Sequence, residues 1–123
     1  MAFLTDRKRA TGLGSAKTGT EHFWSMQLSS AALAILIPLF IFTFGRILGA
    51  PHAEVVAYFG HPFPAIVTGL TLVVGMTHFK GGAQVMIEDY AHGAMRKVLV
   101  AGVTFLSWAM IATGLFALIK LAL

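Results

Sequence analysis

The sequence predicts an all-α integral membrane protein of three transmembrane helices, and three observations carry that expectation. Only 11% of the 123 residues are charged, where a soluble domain carries about 25%. Hydrophobic residues make up 57% of the chain, and the mean hydropathy is +0.79. Three nearly uncharged stretches are each long enough to cross a bilayer, which takes about 20 apolar residues. Hydrocarbon offers no partner for bare peptide groups, so each stretch is expected to be helical.

Residues 1–22 read as a polar, glycine-containing, extended tail, and residues 23–123 as the three-helix membrane domain. The first span, about 24–48, rests on Phe23 to Gly45, which holds no Asp, Glu, Lys or Arg, and Gly49-Ala50-Pro51 ends it. The second, about 63–88, opens at His61-Pro62-Phe63-Pro64, where proline suits a first helical turn. The uncharged run around it extends from Val55 to Phe79 and, past Lys80, continues to Ile87. Asp89 to Lys97 separates it from the third span, about 97–121, built on Val98 to Ile119.

Nine Lys and Arg against five Asp and Glu give a formal charge of +4. In a soluble chain that balance would suggest nucleic acid; here it sets topology, and no nucleic-acid partner is expected. Arg7, Lys8, Arg9 and Lys17 in the tail and Arg96 and Lys97 after the second span are six of the nine basic residues. Cytoplasmic loops are enriched in Lys and Arg, so the N-terminus and the Asp89–Lys97 region are expected in the cytoplasm and the C-terminus on the opposite side. The first apolar run begins too late and is too long for a secretory signal. Arg7, Lys8 and Arg9 would suit a mitochondrial presequence, but Asp6 and Glu21 would not. The expected location is therefore a bacterial inner membrane, with the mitochondrial inner membrane as the alternative. The absence of cysteine excludes disulfides, zinc–thiolate sites and cysteine nucleophiles.

Chemistry concentrates on the second helix. Thr71, Gly75, His78, Gly82, Val85 and Asp89 are spaced by three or four residues and share one face. Small residues on a membrane helix let neighbours pack closely, and glycines beside a ligand also make room for a flat macrocycle. An imidazole inside an apolar helix needs a reason. His78 can bond across helices, take part in a proton path, or serve as an axial ligand to haem iron, a common role for neutral imidazole. Zinc needs several ligands, and no second ligand lies at that depth: His22 and His92 fall near the cytoplasmic surface, His52 and His61 on the other side. A second axial histidine would come from another chain. Met110 in the third helix is an alternative, although a methionine there suits ordinary packing.

Asp89 and Tyr90 follow His78 by eleven and twelve residues, about 16 Å of helix rise to the aspartate. Tyrosine is enriched at membrane interfaces, so simple anchoring explains the pair. A phenol there also donates well to a quinone carbonyl, and the adjacent carboxylate can relay protons. Glu88 and His92 are possible helpers in that traffic, or simply solvated surface groups.

His78, Gly82, Asp89 and Tyr90 form the pattern H-x3-G-x6-D-Y, which resembles the small hydrophobic membrane anchor subunits of succinate dehydrogenase, respiratory complex II. The resemblance takes in the three helices, the length and the N-terminal side, and so nearly the whole chain. It implies that His78 is an axial ligand of haem b, with the second ligand from a sister cytochrome b subunit, and that Gly82 packs on the haem. It implies too that Tyr90 hydrogen-bonds ubiquinone beside the iron–sulfur subunit, with Asp89 next to that site. Succinate oxidation then belongs to a flavoprotein subunit, and this chain is a non-catalytic part of the enzyme. Gly19-Thr20-Glu21-His22-Phe23-Trp24, followed by Gln27 and Ser29-Ser30-Ala31, resembles the start of the family's first helix. Many members carry an arginine there in reach of the haem propionates or quinone. This chain has none; His22 or Gln27 is a candidate for the propionate contact, and the competing reading is that His22, Phe23 and Trp24 form an interfacial belt. A fumarate reductase-like anchor and a haem-free scaffold are the competing readings.

Overall fold

The computed structural model describes residues 3–14 and 19–123. Lys17, counted above for topology, lies outside them. The described residues form α1 (Asp6–Thr11), α2 (Gly19–Gly45), α3 (His52–Phe59), α4 (Pro62–Tyr90) and α5 (Gly93–Ala122), with no strand among them. Three helices are long and apolar enough to cross a membrane: α2, α4 and α5. At 27, 29 and 30 residues they are roughly 40–45 Å long, the thickness of a bilayer with its headgroups.

The tail is not extended as expected. Thr5 caps α1, its Oγ1 accepting from the Lys8 N–H at 3.2 Å. Asp6 sits in the first turn, where the helix dipole favours an anion, and Gly12 at φ 53° stops the helix. The chain becomes helical again at Gly19. A cap and a stop signal suffice for one short helix, and hydropathy registers neither.

α3 was also not foreseen. Gly49 turns the chain at φ 80°, and Val55 to Phe59, read as the approach to the second span, belong instead to this separate helix. It buries Phe59, 3% exposed, and packs on α4 and α5. The Tyr58 hydroxyl donates to the Thr43 carbonyl of α2 at 3.0 Å.

α4 has Pro in its first turn after His61 and ends where Ala91 adopts extended geometry. Only Ala91 and His92 separate it from α5. Asp89 and Tyr90 thus end α4, as expected, whereas Arg96 and Lys97, expected between the spans, lie in the first turns of α5. In the headgroup zone a charged residue loses little by staying helical, because water reaches its side chain.

Helix α4 lies between α2 and α5, which make no close backbone approach to each other. Glycine allows both contacts. On the α5 side, a Cβ at Gly69 would come within 3.3 Å of Leu118 Cδ2, and one at Gly114 would collide with the Leu72 side chain. On the α2 side, a Cβ at Gly81 would lie 2.7 Å from Met26 Sδ. Small residues here do what they do in membranes generally, bringing backbones close enough for dispersion contact. Several hydroxyls in the spans bond within their own helix: Thr71, Thr77 and Ser107 donate to the carbonyls of Val67, Val73 and Val103 at 2.7, 2.7 and 2.8 Å. Large apolar side chains such as Phe42, Phe105 and Phe116 point outward, the surface that lipid or a partner helix covers.

Candidate functional site

The α2–α4 seam carries the polar chemistry. His78 is half-buried in it, and Ser29 of α2 meets its ring, with Oγ 2.8 Å from Nδ1. The same hydroxyl lies 2.8 Å from the Ser25 carbonyl and 3.0 Å from that of Met26. Ser29–Nδ1 is the one side-chain hydrogen bond of His78 among the described residues.

A hollow of about 520 Å³ opens beside the ring, lined by Ser30, Leu33, Ala34, Ile37, Pro38 and His78. Its floor is α2. Pro38, inside that helix, has no N–H for the Ala34 carbonyl, which weakens the helix at this point. Beyond the histidine the wall is apolar and open to the outside of the bundle. Lys80, two residues on, points the other way: its Nζ is 5.7 Å from the Trp108 ring centroid on α5, a cation–π contact inside the span.

Gly75 and Gly82, which share the His78 face, both have α2 side chains in ordinary contact range: added Cβ atoms would lie 3.9 Å from Leu33 Cδ2 and from Met26 Cε. Gly82 is exposed, whereas Gly81 is buried, so the glycine on which the helix contact depends most is Gly81. Its added Cβ would also lie 3.8 Å from His22 Cε1. His22 thus sits beside α4, one turn from His78 toward the α4 C-terminus. Gln27 is exposed, as is Met110 on α5.

Asp89 and Tyr90 occupy the last turn of α4, and both are exposed, Tyr90 at 85%. They are not brought to His78; eleven and twelve residues of one helix keep them about 16 and 18 Å away along its axis. Asp89 stands at the negative end of the helix dipole, where a carboxylate is disfavoured by about 0.3–1 kcal/mol, so local helix stability does not explain its presence. Glu88 accepts from Gln84 Nε2 at 3.0 Å and borders a shallow hollow with Arg96 and Lys97. His92 precedes α5 without a side-chain cap bond.

The donor set fits a shared group better than a self-contained metal centre. Among the described residues no three His, Cys, Asp or Glu side chains cluster to hold an ion. One imidazole opens onto a largely apolar, open hollow, which suits a single contact to a group shared with another chain. In the sequence Ser29 stands out only as part of the first-helix resemblance, not as a partner of His78. The available signal was a serine pair, Ser29-Ser30, in an otherwise apolar helix; the register of α2 against α4 decides which of the two meets the ring.

Comparison with known proteins covers nearly the whole chain. A family profile described as succinate dehydrogenase/fumarate reductase transmembrane subunit matches residues 2–119. The succinate dehydrogenase hydrophobic membrane anchor subunit of Paracoccus denitrificans is 44% identical over 123 residues, covering 100% of this chain and 95% of that protein. The succinate dehydrogenase membrane anchor subunit of Reclinomonas americana is 28% identical over 86 residues, 68% of this chain and 72% of the relative. No solved structure matches the chain.

Proposed function

The chain belongs to the succinate dehydrogenase/fumarate reductase transmembrane subunit family, and from that premise we propose that it anchors a succinate:quinone oxidoreductase while contributing half of a haem b site and part of a ubiquinone-reduction site. His78 would hold the haem together with a residue of a cytochrome b membrane subunit, and Gly82 would give the macrocycle room. Tyr90 and Asp89 form part of the quinone pocket beside the iron–sulfur subunit, and a flavoprotein subunit oxidises succinate. The observation that carries this reading is the placement of His78, half-buried on the seam and facing an open apolar hollow of about 520 Å³. A histidine that served only to bond α2 to α4 would not require that hollow.

A haem held there would supply one-electron redox chemistry. The remaining work falls to side chains of this chain. The Tyr90 phenol donates to a quinone carbonyl oxygen, and that hydrogen bond strengthens as the oxygen gains charge on reduction. Quinone becomes quinol by taking up two electrons and two protons, and Asp89 passes protons from the aqueous side to the reduced oxygens. The exposure of both groups leaves them free to meet a substrate held against a neighbouring subunit. Basic residues orient the chain, with the N-terminus and the α4–α5 turn in the cytoplasm of a bacterial inner membrane. The family description covers fumarate reductase as well; both relatives are named for succinate dehydrogenase, which favours quinone reduction.

The test is the reduced-minus-oxidised absorption spectrum of the purified complex. His78→Ala is expected to abolish the b-type haem signal while the chain still copurifies; a full signal removes His78 as ligand. Quinone reductase activity of Tyr90→Phe tests the second site, and near-normal turnover with unchanged quinone affinity would take Tyr90 out of the pocket.

A further inference from the structure

The hydrogen-bond geometry around Ser29 bears on which nitrogen of His78 is free. A serine hydroxyl has one hydrogen and two lone pairs. Ser29 Oγ has three neighbours at bonding distance: the Ser25 carbonyl at 2.8 Å, the Met26 carbonyl at 3.0 Å and His78 Nδ1 at 2.8 Å. Both carbonyl oxygens can only accept. If the hydroxyl hydrogen points to them, Nδ1 must carry the proton and donate to Oγ, and every contact is satisfied. If the hydrogen points to Nδ1 instead, two close oxygen–oxygen contacts are left with no hydrogen between them. Inside a membrane span, polar contacts left unpaired in that way are costly.

We propose that Ser29 is a positioning residue that holds His78 as the Nδ1–H tautomer and so presents Nε2 as the ligating nitrogen. This rests on the reading of His78 as a haem ligand. Ser29 touches neither iron nor quinone; it acts through the ring. A hydrogen bond from the non-ligating N–H fixes ring orientation and raises ligand basicity, and loss of such a partner typically weakens metal binding 10–100-fold. A more basic imidazole favours ferric over ferrous iron, so its weakening raises the reduction potential.

The experiment compares Ser29→Ala, Ser29→Thr and His78→Ala in the full complex. Its readouts are haem retained during detergent exchange, haem midpoint potential and the low-temperature electron paramagnetic resonance spectrum of the ferric centre. Ser29→Ala is expected to lose haem 10–100-fold more readily, to titrate at higher potential and to show a broadened ferric signal as the ring gains freedom. Ser29→Thr, which keeps the hydroxyl, is expected to restore all three. Wild-type behaviour of Ser29→Ala overturns the proposal, as does equal impairment of the alanine and threonine variants, because bulk rather than the hydroxyl would then matter. Haem retained at the wild-type level in His78→Ala instead overturns the ligand reading itself, so the two failures are distinguishable.

Discussion

Adding a methyl group at Gly81 is a sharper probe of the α2–α4 seam than the same change at Gly82. At Gly81 the new carbon would lie 2.7 Å from Met26 Sδ, about 0.7 Å inside the 3.4 Å at which ordinary contact begins. The thioether is flexible and can swing aside, but its terminal methyl and the His22 ring lie at 3.9 and 3.8 Å from the same point and limit where it goes. Overpacking costs about 1–3 kcal/mol, and exchanging glycine for alanine in a helix returns about 0.8–1.0 kcal/mol. Gly81→Ala should therefore destabilise by about 0–2 kcal/mol, and Gly81→Val, with more bulk and less helix propensity, by about 3 kcal/mol. At Gly82 the nearest atom would be Met26 Cε at 3.9 Å, so overpacking disappears. The assay is a double-mutant cycle with Met26→Ala, read from graded SDS unfolding of the purified complex. Removing the thioether should relieve Gly81→Val by about 1–2 kcal/mol, as expected for residues in contact, and should relieve Gly82→Ala by almost nothing. Equal coupling at the two positions, or none at Gly81, would refute the assignment of Gly81 as the close-packing glycine. The cycle subtracts any effect that Gly82 has through haem, because that effect does not depend on Met26.

Two further substitutions test the spans, the first by the same unfolding measurement. Thr68 Oγ1 is buried without a partner among the described residues and borders an apolar cavity of about 510 Å³ between the helices. Thr68→Val should stabilise by about 1 kcal/mol, since an unsatisfied buried hydroxyl costs about 1–3 kcal/mol; a lower midpoint would mean the hydroxyl has a partner in the complex. Lys80→Leu, read by membrane insertion of the chain rather than by unfolding, should favour insertion by about 0.5–3 kcal/mol, because a mid-span lysine costs about 2.5–3.5 kcal/mol on insertion scales and its contact with Trp108 returns only about 0.5–2 kcal/mol. Unchanged or poorer insertion would refute that balance.

The three spans were legible because apolar length is a local property, and the start of α4 was legible because His61-Pro62 is a local stop and start. α1 and α3 were not, since helices of six and eight residues leave no hydropathy signal and depend on Thr5, Gly12 and the burial of Phe59. The face that carries Gly75, His78 and Gly82 could be read from helical periodicity, and it is the face that meets α2. What periodicity could not give was the register of the other helix. Gly81 rather than Gly82 is the tight contact, and Ser29 rather than Ser30 meets the imidazole, because α2 crosses α4 at a height that no single helix encodes. The quinone-binding expectations for Asp89 and Tyr90 depend on groups in other chains, so neither the sequence nor the fold of this chain alone completes that pocket.

Because α2 and α5 each rest on α4 and not on each other, biogenesis has a built-in wait. Translation at about 5–20 residues per second takes roughly 2–9 s to pass from the end of α2 at Gly45 to the end of α4 at Tyr90. For that interval α2 has no mate in the bilayer, with Ser29 and Ser30 facing lipid. Their hydroxyls already donate to carbonyls of their own helix, at 2.8 Å from Ser29 to Ser25 and 2.8 Å from Ser30 to Met26. The newborn helix can therefore wait in hydrocarbon with its donors occupied, and when α4 arrives Ser29 has only a lone pair left to offer.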